Sequence, residues 1–275
     1  MTYQELRRAL KSSVAAARAA GALMSKNLGS TKKVNEETQH DIKLELDVRC
    51  QKLIEKRLHH DFPAVAVLGE EGVAGDPQAA ARWVVDPIDG TVNFTYGIPH
   101  ACVSIALQLR GTKRGQGGKG SKNNPGDTSY TTVVGVVYDP FLDEMWTAIK
   151  GEPARLNGRV IHVSKRRKLD EAIIAMGFAK YEVTLQKMLP VFNRLVPRVR
   201  KIRLLGAAAL SMTWVAAGRL DAYKEYGVRL WDIAAGGLII ECAGGEFWHR
   251  PIEGEHAYEI CVNNGLLRKQ IEAAS

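Results

Sequence analysis

Long apolar runs are missing from this 275-residue chain, and no stretch approaches the ~20 apolar residues a membrane span needs. Paired cysteines are missing too. Cys50, Cys102, Cys242 and Cys261 are widely spaced with no CxxC pair, which argues against a disulfide framework or a zinc knuckle and fits a reducing, cytoplasmic setting. Ten Pro and 26 Gly are too few for a collagen or a linker protein. Aromatic residues make up only 7%. No internal repeat is visible. What remains is ordinary for a globular protein, with 45% hydrophobic and 25% charged residues. A chain this long buries roughly three quarters of its unfolded surface and needs no staples to fold. Its length predicts one or two domains.

Acid is also in deficit. Lys and Arg number 38 against 30 Asp and Glu, for a formal charge of +8. The excess shows as three runs: Arg110 to Lys122, Lys165 to Lys168, and Arg198 to Arg203. Most such runs are solvated surface. No nucleic-acid-binding motif accompanies them, so nucleic acid is not expected as the main partner. Gly115-x-Gly117-x-x-Gly120 matches the dinucleotide fingerprint, but no helix pattern follows, and the match reads as chance within a Gly-rich loop. The basic N-terminus reads as an amphipathic helix rather than a transit peptide.

Hydrophobic spacing predicts helices over 4–28, 47–58, 185–196, 207–217 and 233–242, and a closing helix from Leu266. Short apolar runs predict strands at 64–68, 83–85, 102–109, 132–138, 145–149, 160–163 and 260–262. Residues 111–127 are rich in Gly, Lys, Ser and Asn and read as a basic surface insertion. The mixed order without a βαβ repeat predicts a layered α/β sandwich.

Two of the strands run into carboxylates. The first leads to Gly69-Glu70-Glu71, the second to Asp86-Pro87-Ile88-Asp89-Gly90-Thr91. If they lie side by side and parallel, Glu70, Asp86 and Asp89 meet at one sheet edge, and the turn aims the Ile88 carbonyl inward. Three carboxylates in a small space need a counter-charge, and hard oxygen ligands suit Mg²⁺ or Ca²⁺. A solvated Pro-Asp-Gly turn is the bland alternative. Gly90 and Thr91 open the next segment, where backbone N–H groups accept an anion. Asp232 precedes the 233–242 helix and reads as an N-cap, a ligand, or both. His100 and His162 read as structural, and Glu71 is either a supporting acid or a surface residue.

Together these segments resemble the inositol monophosphatase family. The likeness rests on Gly69-Glu-Glu71, Trp83-Val-Val-Asp-Pro-Ile-Asp-Gly-Thr91, Trp231-Asp-Ile-Ala-Ala-Gly236 and Glu241-Cys-Ala-Gly-Gly245. Asn157-Gly158 with Ile161-His-Val-Ser164, and Leu205-Gly-Ala-Ala-Ala209 with Ala217-Gly-Arg-Leu-Asp-Ala222, follow in the expected order. The resemblance implies a five-layered α/β/α/β/α sandwich. It implies one catalytic domain over 1–275, with two lobes dividing near 150–185, and a homodimer. The implied activity is Mg²⁺-dependent, lithium-sensitive hydrolysis of a small phosphomonoester, with two or three ions per site. Inositol monophosphate is the first expectation. Fructose 1,6-bisphosphate, histidinol phosphate, 3′-phosphoadenosine 5′-phosphate and NADP are the alternatives on the same scaffold.

Matched position by position, the resemblance gives metal-holding roles to Glu70, Asp86, Asp89, Asp232 and the Ile88 carbonyl. Glu70 and Thr91 are implied to position the attacking water, supported by Asp47. Gly90 and Thr91 are implied to hold the phosphate, Glu225 to recognise a hydroxyl of the alcohol part, and Ala208 and Asp89 to contact the substrate. Three features depart from the family pattern. Asp41-Ile-Lys-Leu-Glu-Leu-Asp47 carries Lys43 and Leu44 where Val and Thr are usual. Ala207 lacks a hydroxyl. The 111–127 insertion is extra.

Overall fold

The computed structural model describes residues 1–30, 34–37, 42–111, 130–178 and 182–274. The insertion, apart from Gly111, and Asp41 lie outside them.

The chain opens with α1 (Tyr3–Asn27), whose Thr2 cap accepts from Glu5 N while Glu5 reaches back to Thr2 N. A short ribbon, β1 (Val34–Glu37) and β2 (Ile42–Leu44), leads into α2 (Glu45–Asp61). Then come β3 (Ala66–Gly69), β4 (Gly72–Ala74), β5 (Ala81–Asp89), the one-turn α3 (Thr91–Thr95), β6 (Cys102–Arg110), β7 (Tyr130–Asp139), β8 (Glu144–Ile149), β9 (Arg155–Leu156) and β10 (Arg159–Val160). β3 to β10 form one eight-stranded sheet. A 3₁₀ turn (Leu169–Glu171) then precedes β11 (Ile173–Met176), α4 (Glu182–Leu195), β12 (Lys201–Arg203), α5 (Ala208–Ala216), β13 (Ala222–Arg229), α6 (Leu230–Cys242), β14 (Glu246–Pro251), β15 (Ala257–Asn263) and α7 (Arg268–Glu272). Their strands form a second sheet, ordered β12-β11-β13-β15-β14.

Three apolar cores make the five layers. One lies between α1, α2 and the outer face of the first sheet, with Trp83, Ile105 and Val136. The largest fills the middle, where α5 and α6 separate the two sheets. The third lies under α4 and α7 on the far face of the second sheet. α6 is apolar nearly all round, as a helix covered on both sides must be. It also needs a close approach, since a Cβ on Gly135 would stand 2.8 Å from the Ala235 carbonyl. The layered α/β/α/β/α expectation holds.

Several local expectations differ. α2 begins at Glu45, two residues early. The strand expected at 160–163 amounts to a two-residue pairing, Arg159–Val160 against Arg155–Leu156. β11, β13 and β14 were not expected. β13 reads Ala-Tyr-Lys-Glu-Tyr-Gly-Val-Arg, too polar to signal a buried strand. Its Lys224 is buried because Glu259 meets its ammonium at 3.2 Å.

Candidate active site

β3 and β5 are parallel neighbours, with Gly69 opposite Val85, so Glu70 and Asp86 emerge at the same edge. A regular strand would turn residues three apart to opposite faces. β5 avoids this with a bulge against β6: Asp86 pairs with Ser104 and Asp89 with Cys102, three steps against two. Both carboxylates therefore face the same side. Pro87 sits inside the bulge, where it has no ladder bond to lose. Asp86 Oδ1 locks the turn by accepting from Ile88 N at 3.0 Å. Gly90 follows at φ +90°, and a Cβ there would lie 2.9 Å from the His100 carbonyl and 3.2 Å from Ala207 Cβ. Only glycine suits this position.

Thr91 is the first residue of α3, and its hydroxyl donates to the Ile88 carbonyl at 2.8 Å. With its proton committed, Thr91 Oγ1 has lone pairs left to accept a hydrogen bond from a water. Asn93 ties this turn across the layers, donating to the carbonyls of His100 (2.9 Å) and Leu205 (2.8 Å).

The second sheet and the middle helices supply the other wall. Asp232 is the third residue of α6, not its N-cap, and its Oδ2 accepts from Arg229 N at 2.7 Å. Asp47 has the same place in α2 and accepts from Leu44 N at 2.8 Å. Each carboxylate also suits the positive end of its helix. Asp89 reaches furthest. Its Oδ1 accepts from Ala208 N (3.0 Å) and its Oδ2 from Ala209 N (2.8 Å). It thereby caps α5, whose own N-cap residue is Ala207 with no oxygen to offer. One pocket of about 600 Å³ is lined by Glu70, Asp86, Ile88, Asp89, Gly90, Thr91, Ala208, Glu225 and Asp232. Asp47 is buried behind it and does not line it.

The expected residues meet in space, with Asp47 behind the pocket and Glu225 on its wall. Glu225 is half-buried on β13, with the Tyr223 hydroxyl donating to Oε2 and the backbone of Gly177 against its carboxyl. Tyr223 had no role in the sequence reading. It is fully buried at the pocket floor.

Burial pushes the acids upward: Asp89 to about 6, Glu225 to about 7 and Asp232 to about 8. Asp86 is raised well above the usual carboxylate range by burial, then by the charges of Glu70, Asp89, Asp232 and Asp47. No three acidic, His or Cys side chains among the described residues stand in a ready-made chelate. The donor set still fits a hard divalent cation, since the carboxylates of Glu70, Asp86, Asp89 and Asp232 line one pocket together with Ile88. Among the described lining residues there is no Lys, Arg or His.

One residue outside the sequence expectations anchors the Glu70 turn. Gln51, buried in α2, accepts from Glu71 N (2.9 Å) and donates to the Gly72 carbonyl (3.1 Å) and to Glu55 (2.8 Å). It fits because residue 69 is glycine, since a Cβ there would meet its amide. Gln51→Leu is expected to loosen the turn and weaken divalent-cation binding about 10-fold while α2 stays folded. Calorimetric titration with Mg²⁺, alongside circular dichroism, checks this. Unchanged affinity would leave Gln51 a packing residue.

A model of the family described as inositol monophosphatase matches residues 5–114 and 129–271. Inositol monophosphatase 1 of Solanum lycopersicum is 36% identical over 239 residues, covering 84% of this chain and 81% of that protein. Nus factor SuhB of Pseudomonas aeruginosa is 37% identical over 238 residues, with the same shares. The crystal structure of the extragenic suppressor protein suhB from Bartonella henselae superposes with a TM-score of 0.83 at 32% identity, covering 96% of each chain. The Thermotoga maritima IMPase superposes at 0.78 and 30% identity, covering 95% of this chain and 94% of its own.

Proposed function

This chain belongs to the inositol monophosphatase family, and from that premise we propose that it hydrolyses a small phosphomonoester with Mg²⁺ held by Glu70, Asp86, Asp89, Asp232 and the Ile88 carbonyl. One observation carries the reading. The pocket is walled by five carboxyl groups and, among the described residues, by no cationic side chain. A phosphate dianion enters such a pocket only with metal cations. When bound, Mg²⁺ would neutralise phosphate oxygens, acidify a water and stabilise the leaving alkoxide.

The protein's own part is positioning. Thr91 Oγ1 accepts from the attacking water, and Glu70 beside it receives a proton. Asp47 stiffens the start of α2 behind them. The Gly90 turn brings backbone amides to the phosphate. Ala208 and Glu225 face the alcohol part. No residue serves as a covalent nucleophile.

The same wall favours a single phosphate. Among the described lining residues a second phosphate group would find no cationic side chain and would meet Glu225, which disfavours bisphosphates and dinucleotide phosphates. A polyol monophosphate, with inositol monophosphate first, has hydroxyls to donate to Glu225. Phosphate release from a panel of small esters, with and without Mg²⁺, tests the reading. Undiminished turnover after exhaustive chelation overturns it. The relatives named Nus factor SuhB support a second, non-hydrolytic reading, which the absence of any phosphate release would favour.

Glu225→Gln is expected to lower kcat/KM for a polyol monophosphate about 10-fold, the loss of one charge-assisted hydrogen bond. An aryl phosphate without hydroxyls should be used almost as before. Equal losses on both substrates would place Glu225 in the metal site instead.

A further inference from the structure

One segment holds an excess of positive charge equal to the whole chain's +8. Residues 165–203 carry 11 Lys and Arg against 3 Asp and Glu, and the rest of the chain carries 27 of each. The fold brings two basic runs of that segment together. β11, β12 and β13 are parallel, so their N-terminal ends lie side by side, away from the ends that border the pocket. Lys165 to Lys168 lead through the 3₁₀ turn into β11, while Arg198 and Arg200 lead into β12, which opens with Lys201. The two runs join at the Ala172 carbonyl, which accepts from Arg200 N (2.9 Å) and Lys201 N (3.4 Å).

Arg166 is committed to the buried Asp221 at 2.9 Å. Lys165, Arg167, Lys168, Arg198, Arg200 and Lys201 are exposed and form no ion pair with any described acid. Asp170 and Glu171 share the turn, so six cations face two acids. Guarding an edge strand explains Lys201 on β12. It does not explain Lys165, Arg167, Lys168 and Arg198, which lie off the ladder.

The company of these cations narrows the partner. The aromatic residues described in 165–203, Phe178 and Phe192, are not exposed, so no platform for unstacked bases is present. The apolar side of α4 is committed to the core through Met188, Val191 and Leu195, and the exposed Val183, Leu189 and Val196 are too few and too scattered to make a face that enters a membrane. We propose that this end of the second sheet docks the phosphate backbone of double-helical nucleic acid, by charge and without reading sequence.

The test is fluorescence anisotropy of labelled RNA and DNA duplexes of mixed sequence, about 20 base pairs long, titrated with the whole chain over a range of salt. The log of the affinity should fall linearly with log salt, with a slope of about −4 to −5. Lys165→Glu, Arg167→Glu and Lys168→Glu together should flatten the slope by about 3, one for each contact. They should also cost at least 30-fold in affinity at low salt, with small-ester hydrolysis unchanged. These positions avoid the edge strand, so the ladder is untouched. The control reverses Lys52, Lys56 and Arg57 on α2, exposed residues with the same total charge change. No duplex binding at low salt overturns the proposal. So does an equal loss in the control, or binding to anionic phospholipid vesicles in preference to the duplex.

Discussion

Asp89→Asn should lower turnover about 100- to 1,000-fold and also lower the melting temperature. Charge alone argues that removing one of several repelling carboxylates would raise the stability of the metal-free protein. The geometry argues otherwise. Both oxygens of Asp89 accept backbone N–H groups from the first turn of α5, at 3.0 and 2.8 Å. An asparagine supplies one oxygen and turns an NH₂ toward the other N–H, so one buried donor loses its acceptor. That costs about 1–3 kcal/mol. The helix also loses a full anion at its positive end, where Ala207 offers no substitute. Turnover and thermal unfolding, measured on the same preparation in chelator and in Mg²⁺, separate the two effects. A variant that melts higher in chelator would show that repulsion outweighs the cap.

Stability of the metal-free protein should fall as pH rises from about 5 to about 8.5. The sign follows from the acids that line the pocket. Glu225 and Asp232 are raised to about 7 and 8, above their values in the unfolded chain. Groups raised in this way favour the folded state while protonated, and that contribution is lost as pH passes through the folded value. Even a single unit for each of the two groups amounts to about 3 kcal/mol. Divalent cation replaces the protons, so saturating Mg²⁺ should flatten the profile and release protons as it binds. Thermal unfolding in chelator across this range, repeated with Mg²⁺, reads both. A melting temperature that climbs with pH in chelator would mean that these acids are solvated and apart.

The centre of the site was legible because its residues sit at strand ends. An apolar run that stops at Gly69-Glu70, and another that stops at Asp86-Pro87, announce a sheet edge without further information. The fact that Asp86 and Asp89 share a face was not legible, because it depends on a bulge seen only in the β5–β6 register. The sequence puts Asp232 on the right helix but three residues off, since its carboxylate reaches backward as a cap does. Glu225 was matched to the pocket, but the strand that carries it was not legible, because Tyr-Lys-Glu-Tyr gives no strand signal until Glu259 is seen to meet the buried Lys224. Gln51 had a signal that went unread. The buried face of α2 runs Leu46, Asp47, Cys50, Gln51, Ile54 and Leu58, and two polar residues on an apolar stripe mark a face that touches a site.

The cap that Asp89 places on α5 also dictates an order of assembly. Its two backbone partners lie 119 and 120 residues further along the chain. A growing chain therefore carries Glu70, Asp86 and Asp89 long before α5 exists to receive the carboxylate. Contacts of such sequence separation are slow to form. Until they do, Asp89 has no helix to cap, and the pocket has one wall. Competence for chemistry arrives with the C-terminal third of the chain, in the same event that docks the two sheets.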